Sequence, residues 1–361
     1  MFDEAASLTS RGPHVLPIRD KYLVIGGHGS VGRVVCQYLE AKFPGRIVAA
    51  GRSVDAAANV ESSPIGRVTS IQLDVRDPVM LDAALNDALV VITCVDARNR
   101  EIAQACIRQG AHFVDISASY AVLQSLEALN DEARAGGVTG ILSVGLAPGI
   151  TNLLVRHVRD VLGAVRSAEI TVLLGLGDTH GRDAIRWMLE NSRALGEVKR
   201  IQLPQPYGVR AAYAFDFADQ YVVRHSLGIA QVRTRLCLEP AWMTRALGFV
   251  SVSGTIALIE RMGALELLAR LLSALRFGSD AFVAQVAAQG REGTARALVC
   301  GRKEAQITGL MASLVAESLG TTPALPGVRH IEEVFELKQF SRTLDEEGYA
   351  ITWARKPTRV E

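Results

Sequence analysis

Residues 22–32 read Tyr-Leu-Val-Ile-Gly-Gly-His-Gly-Ser-Val-Gly. Tyr22 to Gly26 is a short apolar run that predicts a buried strand. Gly27-His28-Gly29-Ser30-Val31-Gly32 has the spacing G-x-G-x-x-G. Val31, Val34, Val35, Tyr38 and Leu39 then fall at i, i+3, i+4, i+7 and i+8, one face of a helix. Strand, glycine turn and helix together give the motif its physical meaning. The first glycine permits the tight turn, the second lets the backbone approach a pyrophosphate, and the third lets helix and strand pack closely. The helix N-terminus then offers free N–H groups and a positive dipole end to the phosphates. Gly27, His28, Gly29, Ser30, Val31 and Gly32 are therefore expected to hold a dinucleotide.

The alternation continues outward from this unit. Residues 46–50, 69–73, 89–94, 112–116 and 140–144 read as further apolar strands, with helices over 102–109 and 123–135. Six such strands separated by helices predict an α/β fold, a Rossmann-type doubly wound parallel sheet. After about residue 165 the pattern changes. Residues 168–174, 211–217, 231–238 and 297–301 read as strands separated by longer segments, several alternating polar and apolar as half-buried antiparallel strands do. The expected organisation is a flexible N-terminal arm (1–20), a dinucleotide-binding domain (21–164), an α+β substrate domain (165–303) and C-terminal helices (304–361). A wide apolar stripe over 241–275 reads as a dimer interface, a lid or plain core.

The chain has 361 residues, 49% hydrophobic and 21% charged, which excludes intrinsic disorder. Lys and Arg number 39 against 38 Asp and Glu, so the basic excess of a nucleic-acid binder is missing and no nucleic-acid partner is expected. No uninterrupted apolar run reaches about 18 residues. The first twenty residues lack the basic start and apolar centre of a signal peptide. A cytoplasmic protein without a membrane partner is expected. The five cysteines are scattered with no C-x-x-C pair, which suggests buried thiols in a reducing compartment and no metal site.

The end of the second strand carries Gly51-Arg52-Ser53. A cofactor without the 2′-phosphate usually meets Asp or Glu at this place. Arg52 suits a phosphate instead, as a bidentate donor, and Ser53 adds another donor. NADP is the expected cofactor; Asp55, in a shifted register, keeps NAD as the lesser alternative. Asp74-Val75 closes the third strand near the expected adenine, where Asp74 either accepts from the exocyclic amine or caps the helix near Pro78. Ligands in such sheets sit beyond the carboxyl ends of the strands. There the chain places Cys94-Val95-Asp96-Ala97-Arg98, Asp115-Ile116-Ser117-Ala118-Ser119-Tyr120, and Gly145-Leu146-Ala147-Pro148-Gly149-Ile150-Thr151-Asn152. Cys94, Ser117, Pro148 and Gly149 are expected to line the cofactor.

Together VIGGHGSVG, the GRS after strand two, LDV, VDIS and GLAPGITNLL resemble the saccharopine dehydrogenase (saccharopine reductase-like) family. GLGDTHGRDAIRWMLEN and the late ITGLMASLVAESL and LPGVRHIEEVF extend the resemblance over nearly the whole chain. The PGITN segment looks more like the family's bacterial branch. The resemblance implies a dinucleotide domain interrupted by a substrate domain with an antiparallel sheet and often a dimer contact, so a homodimer is expected. It also implies that the final helices return to the first domain. The implied reaction is hydride transfer between nicotinamide and a C–N bond, joining an amine to an oxo acid or aldehyde, or the reverse. Such a site needs a cation for a substrate carboxylate and a group to move protons. Arg98, Arg182, Arg210 and Arg224 are candidate cations, with Arg98 and Arg182 expected to face each other across the cleft. His180 is the candidate proton shuttle, and Tyr120 a donor to a substrate oxygen. Two alternatives stand beside this reading. Saccharopine reductases commonly carry Asp where this chain has Ala147, which leaves room for a non-catalytic NADP(H)-binding regulator. A dehydrogenase acting on C–OH is the other, although Tyr120 is followed four residues later by Gln124 and not by the Lys that chemistry wants.

Overall fold

The computed structural model describes residues 19–52, 68–177, 188–192, 195–253, 259, 261–264, 267–268, 277–291, 293–322 and 324–354. The first sheet contains β1 (Lys21–Ile25), β2 (Ile47–Gly51), β3 (Thr69–Gln72), β4 (Ala88–Thr93), β5 (His112–Asp115), β6 (Thr139–Leu142) and β13 (Gly327–His330). Their order is β13-β6-β5-β4-β1-β2-β3, and every pairing is parallel. Crossover helices cover both faces: α1 (Ser30–Lys42), α2 (Pro78–Leu85), α3 (Asn99–Gln109), α4 (Tyr120–Glu127) and α5 (Asn130–Ala135). β1 shows why its sequence is apolar throughout. Tyr22 and Val24 enter one core and Leu23 and Ile25 the other, all four buried. The order reverses between β1 and β4, the switch point at which such sheets bind ligands.

The sixth strand stops at Leu142, short of the expected Val144, because Ser143 turns out of the strand with φ +58°. The expectation of helices alone over 304–361 is also corrected. Helices α9 (Glu304–Thr321) and α10 (Leu337–Glu346) are there, but β13 adds a seventh strand to the first sheet and β14 (Ala350–Thr352) joins the second. α9 lies against α1. Gly309 makes the approach possible, since a Cβ there would meet Val34 Cβ at 2.7 Å and Val31 O at 2.9 Å.

The second sheet runs β14-β12-β11-β7-β10-β9-β8, from β7 (Val165–Leu176), β8 (Val198–Gln202), β9 (Val209–Ala214), β10 (Gln231–Glu239), β11 (Phe277–Gly290) and β12 (Thr294–Arg302). The sheet is mixed. β7 and β10 pair in parallel, while the remaining pairs are antiparallel. β10 lies parallel to β7 because the chain passes through the β8–β9 hairpin and α7 (Asp219–Ser226) before β10, and such a crossover returns it in the same direction. β11 sits between β7 and β12, with Phe282, Ala284, Val286 and Ala288 buried in the core. Fully burying a side chain such as Phe282 contributes about 1.5–3 kcal/mol. α6 (Thr151–Leu162) starts beyond β6 and packs on β11 and β12, so its buried Leu153, Leu154 and Val158 join the two sheets in one core. After β10 comes α8 (Ala241–Val252), on which Trp242 and Phe249 are exposed. No described helix is long and apolar enough to cross a membrane.

Candidate functional site

The glycine turn is built as a phosphate cradle. Gly27 N–H donates to Val24 O and Ala50 O, and Gly29 N–H to Gly26 O at 2.9 Å. A Cβ on Gly32 would run into Gly26 O, and one on Gly27 would meet Ala49 Cβ at 2.8 Å, so both glycines serve packing. Gly29 is different. It is exposed, and its Cβ would meet nothing within 4 Å except Gly26 O at 3.2 Å. It precedes α1, whose first turn has neither a side-chain cap nor an acidic residue. Ser30 and Val31 open that turn, half-buried. Free N–H groups, a positive dipole end and a space kept clear by Gly29 fit the pyrophosphate of a dinucleotide.

Around the end of β2 the imidazole of His28 lies over Gly51, where a Cβ would meet its Nδ1 at 2.7 Å. Its Nε2 is 3.3 Å from Ser70 Oγ on β3. Burial and the neighbouring Arg33 guanidinium hold His28 below the usual histidine value. Arg52 is exposed just beyond β2; Ser53 and Asp55 lie outside the described residues. Asp74 binds Arg76 through two bonds of 3.0 Å, and those bonds, with Arg52 nearby, keep its carboxyl below the usual range. Asp74 is not the helix cap. That role falls to Asp77, which accepts from the Val79 and Met80 N–H groups, because Pro78 at the first helical position leaves Asp77 at the N-cap. Val75 is half-buried beside it.

At the switch point a Cβ on Gly26 would meet Val95 Cγ1 at 2.7 Å and Cys94 O at 2.8 Å, so the loops after β1 and β4 touch. Burial raises the Cys94 thiol far above its ordinary value, which leaves it a packing group. Asp115, at the end of β5, is 2% exposed. It accepts from Asn99 Nδ2 at 2.7 Å and from Ser117 N–H at 2.9 Å, and Ser117 Oγ donates to Asp96 at 3.1 Å. Burial pushes the Asp115 carboxyl up to about 6 against these bonds. Asp115 thus ties the strand-four and strand-five loops into one wall.

Arg98 lies just beyond the strand-four edge. It is exposed, sits before α3 with φ +53°, and pairs with Glu101 at 3.1 Å. A cation at a helix N-terminus opposes the dipole, and Glu101 one turn on neutralises it. His180 and Arg182 lie outside the described residues, so the pairing expected with Arg98 rests on Arg98 alone, whose partner is Glu101. Arg210 donates to Tyr207 O in the β8–β9 hairpin, and Arg224 is exposed on α7. Tyr120, at the start of α4, stacks on Tyr221 of α7 with ring centroids 4.8 Å apart. Tyr221 donates to Asp216 at 2.5 Å, and this bond holds its phenol up at about 12. α7 of the second sheet is thereby brought over the carboxyl edge of the first.

Beyond β6 the backbone passes Pro148 and Gly149, both buried, the latter with φ +138°, before α6 begins. Here the structure gathers polar residues to which sequence reasoning gave no role. Asn152 Nδ2 donates to Glu332 Oε2 at 2.9 Å, and Ser226 Oγ to Glu332 Oε1 at 2.5 Å. His330 places Nδ1 2.8 Å from Ser143 Oγ and Nε2 2.8 Å from Glu127. Burial alone would lower the imidazole; the Glu127 bond and the Glu332 carboxylate outweigh it and raise it. Asp219, fully buried, accepts from Thr234 Oγ1 at 2.5 Å, and its carboxyl is pushed up to about 6 by burial. Little in the sequence marks them: Glu332 stands between Ile331 and Glu333, Asp219 between Ala218 and Gln220, and only the tertiary fold joins them.

Residues 22–141 match the family model described as the saccharopine dehydrogenase NADP binding domain. This segment belongs to that family. The NADP-binding domain therefore takes NADP(H), and the chain falls among NAD(P)-dependent oxidoreductases. Similarity to the apo saccharopine dehydrogenase (L-Glu forming) of Saccharomyces cerevisiae spans 94% of this chain and 100% of that one, at TM-score 0.65 and 14% identity. That likeness shows a shared fold across both sheets. The C. glutamicum DAP dehydrogenase in complex with DAP matches more loosely, at TM-score 0.46 and 14% identity over 90% of this chain and 99% of that one.

Proposed function

We propose that this protein is an NADP-dependent oxidoreductase acting on a C–N bond, joining an amine to an oxo acid or aldehyde or running the reverse. One observation carries the reading: the Tyr120–Tyr221 stack holds α7 of the second sheet over the carboxyl edge of the NADP-binding domain. Two walls facing one cofactor edge suit a reaction that must hold two partners and exclude water from the imine they form. When bound, NADPH supplies the hydride. The chain's own residues do the rest. Gly29 and the α1 N-terminus bind the pyrophosphate, and Arg52 pairs with the 2′-phosphate. Asp115, through Asn99 and Ser117, keeps the loops after β4 and β5 in register. Tyr120 donates to a substrate oxygen, while His180 and Arg182 are the residues we assign to the amine proton and the substrate carboxylate.

The balance is simple. Amine and carbonyl condense with loss of water, and the imine carbon then gains the hydride while its nitrogen gains a proton. Assembly as a cytoplasmic homodimer belongs to the same reading; the exposed Trp242 and Phe249 of α8 are the apolar side chains it would cover. The test is NADPH oxidation across a matrix of amines with 2-oxo acids and aldehydes. Turnover that requires both members of a pair is expected. Turnover with the carbonyl alone, yielding an alcohol, would favour C–OH chemistry, and binding of NADPH without turnover across the matrix would favour a regulator.

A further inference from the structure

We propose that His28 reads the adenosine 2′ position, standing over Gly51 where an NAD-type site carries an acidic side chain, and pairs as a cation with the cofactor's 2′-phosphate. The inference rests on the NADP reading and names the group that makes the choice. Three observations carry it. β2 ends on Gly51, the strand end that faces the ribose in this fold. A side chain at Gly51 would have to displace the imidazole, because its Cβ would lie 2.7 Å from His28 Nδ1. The imidazole is held there from the other side by Ser70 Oγ at 3.3 Å. The ring is therefore a fixed occupant of the ribose corner, supplied by the glycine turn itself.

The charged group that acts on it is Arg33 of α1; at the neighbouring strand ends Arg52 follows β2, and Asp74 and Arg76 after β3 bind each other. Burial and Arg33 lower the imidazole's affinity for a proton, so the ring is neutral near pH 7 in the free protein. A phosphate dianion beside it reverses that balance. Binding should then take up a proton. The opposite sign is expected if only the phosphate titrates, since a phosphate monoester with a second pKa of about 6 loses charge as pH falls.

The experiment is calorimetric titration of the full chain with NADP⁺, and with NAD⁺ as control, between pH 6.5 and 8.0 in buffers of different ionisation enthalpy. The buffer series counts protons directly and does not depend on turnover. We expect proton uptake with NADP⁺, binding that tightens by up to about tenfold per pH unit, and a flat response with NAD⁺. His28→Gln, checked for folding by its melting profile, should abolish the uptake and narrow the preference for NADP⁺ over NAD⁺. Uptake retained in His28→Gln, or no uptake in the unmodified protein, would overturn the role of His28 and leave the cofactor reading standing. Equal affinity for the two cofactors in the unmodified protein would overturn both.

Discussion

On the proposed reading Gly29 faces the pyrophosphate and Arg52 the 2′-phosphate, and each allows a direct substitution. A Cβ at Gly29 points into the space reserved for the pyrophosphate and touches nothing of the protein but Gly26 O. Gly29→Val should therefore abolish NADP(H) binding by calorimetry while the melting temperature changes little. Arg52 stands exposed beside Asp74. If it clamps the 2′-phosphate, NADPH should bind at least about tenfold tighter than NADH, a difference of about 1.4 kcal/mol, and Arg52→Asp should invert the order. What the sequence offered here is local: a spacing of glycines that opens a helix after a strand, and a charge at a strand end. The covering of Gly51 by His28 was not, since it joins positions brought together only by the β1–β2 pairing. The pairing of Arg98 was hidden for a different reason. Its position in the sequence suggested the cleft, while its partner, Glu101, lies one turn along its own helix.

The element that closes the first sheet shows the same limit. β13 is four residues long, too short for any periodicity, and it pairs with β6 although 184 residues separate their ends. β11 was missed because Ala and Gln dilute its alternation, even though it is 14 residues long. What fastens β13 in place is His330, between Ser143 of the β6 edge and Glu127 at the end of α4. Its folded pKa is raised, so its contribution to stability is full below the ordinary histidine value of about 6.5 and is lost as pH rises through the folded value. The melting temperature should accordingly fall between pH 6.5 and 8.5, and His330→Gln should flatten that slope. At pH 6.5 the substitution should also lower stability, by about 1–3 kcal/mol, because Glu127 is partly exposed and regains water when its partner is lost. Thermal denaturation of both proteins across the range measures this. An identical slope in the variant would show that His330 carries no proton in the folded chain.

Over the whole molecule, α6 and α9 weld two sheets into one core, and polar residues are buried where the sheets meet. Asp219 is the most confined of them. Its carboxyl sits at about 6, above the unfolded value of about 3.9. The protonated form thus favours the fold, and the contribution present below about pH 4 is lost as pH rises through 6. Asp219→Asn, which keeps an oxygen for Thr234 to donate to, should be more stable than the parent at pH 8, with the difference shrinking as pH falls and vanishing only below about pH 4. A variant less stable at pH 8 would mean that the ionised carboxylate has a partner worth more than its burial costs. The overall architecture followed from alternating apolar strands and helices. The seam between the sheets did not, because each buried acid looks, in sequence, like a surface residue.

The central claim is that hydride passes between NADPH and a carbon bonded to nitrogen. It is tested most directly by supplying NADPH deuterated at the transferring position to an active amine and oxo-acid pair and locating the label by mass spectrometry. Deuterium is expected on the carbon that joins the new C–N bond of a secondary amine. Deuterium on the carbinol carbon of a hydroxy acid, with the amine recovered unchanged, would contradict it.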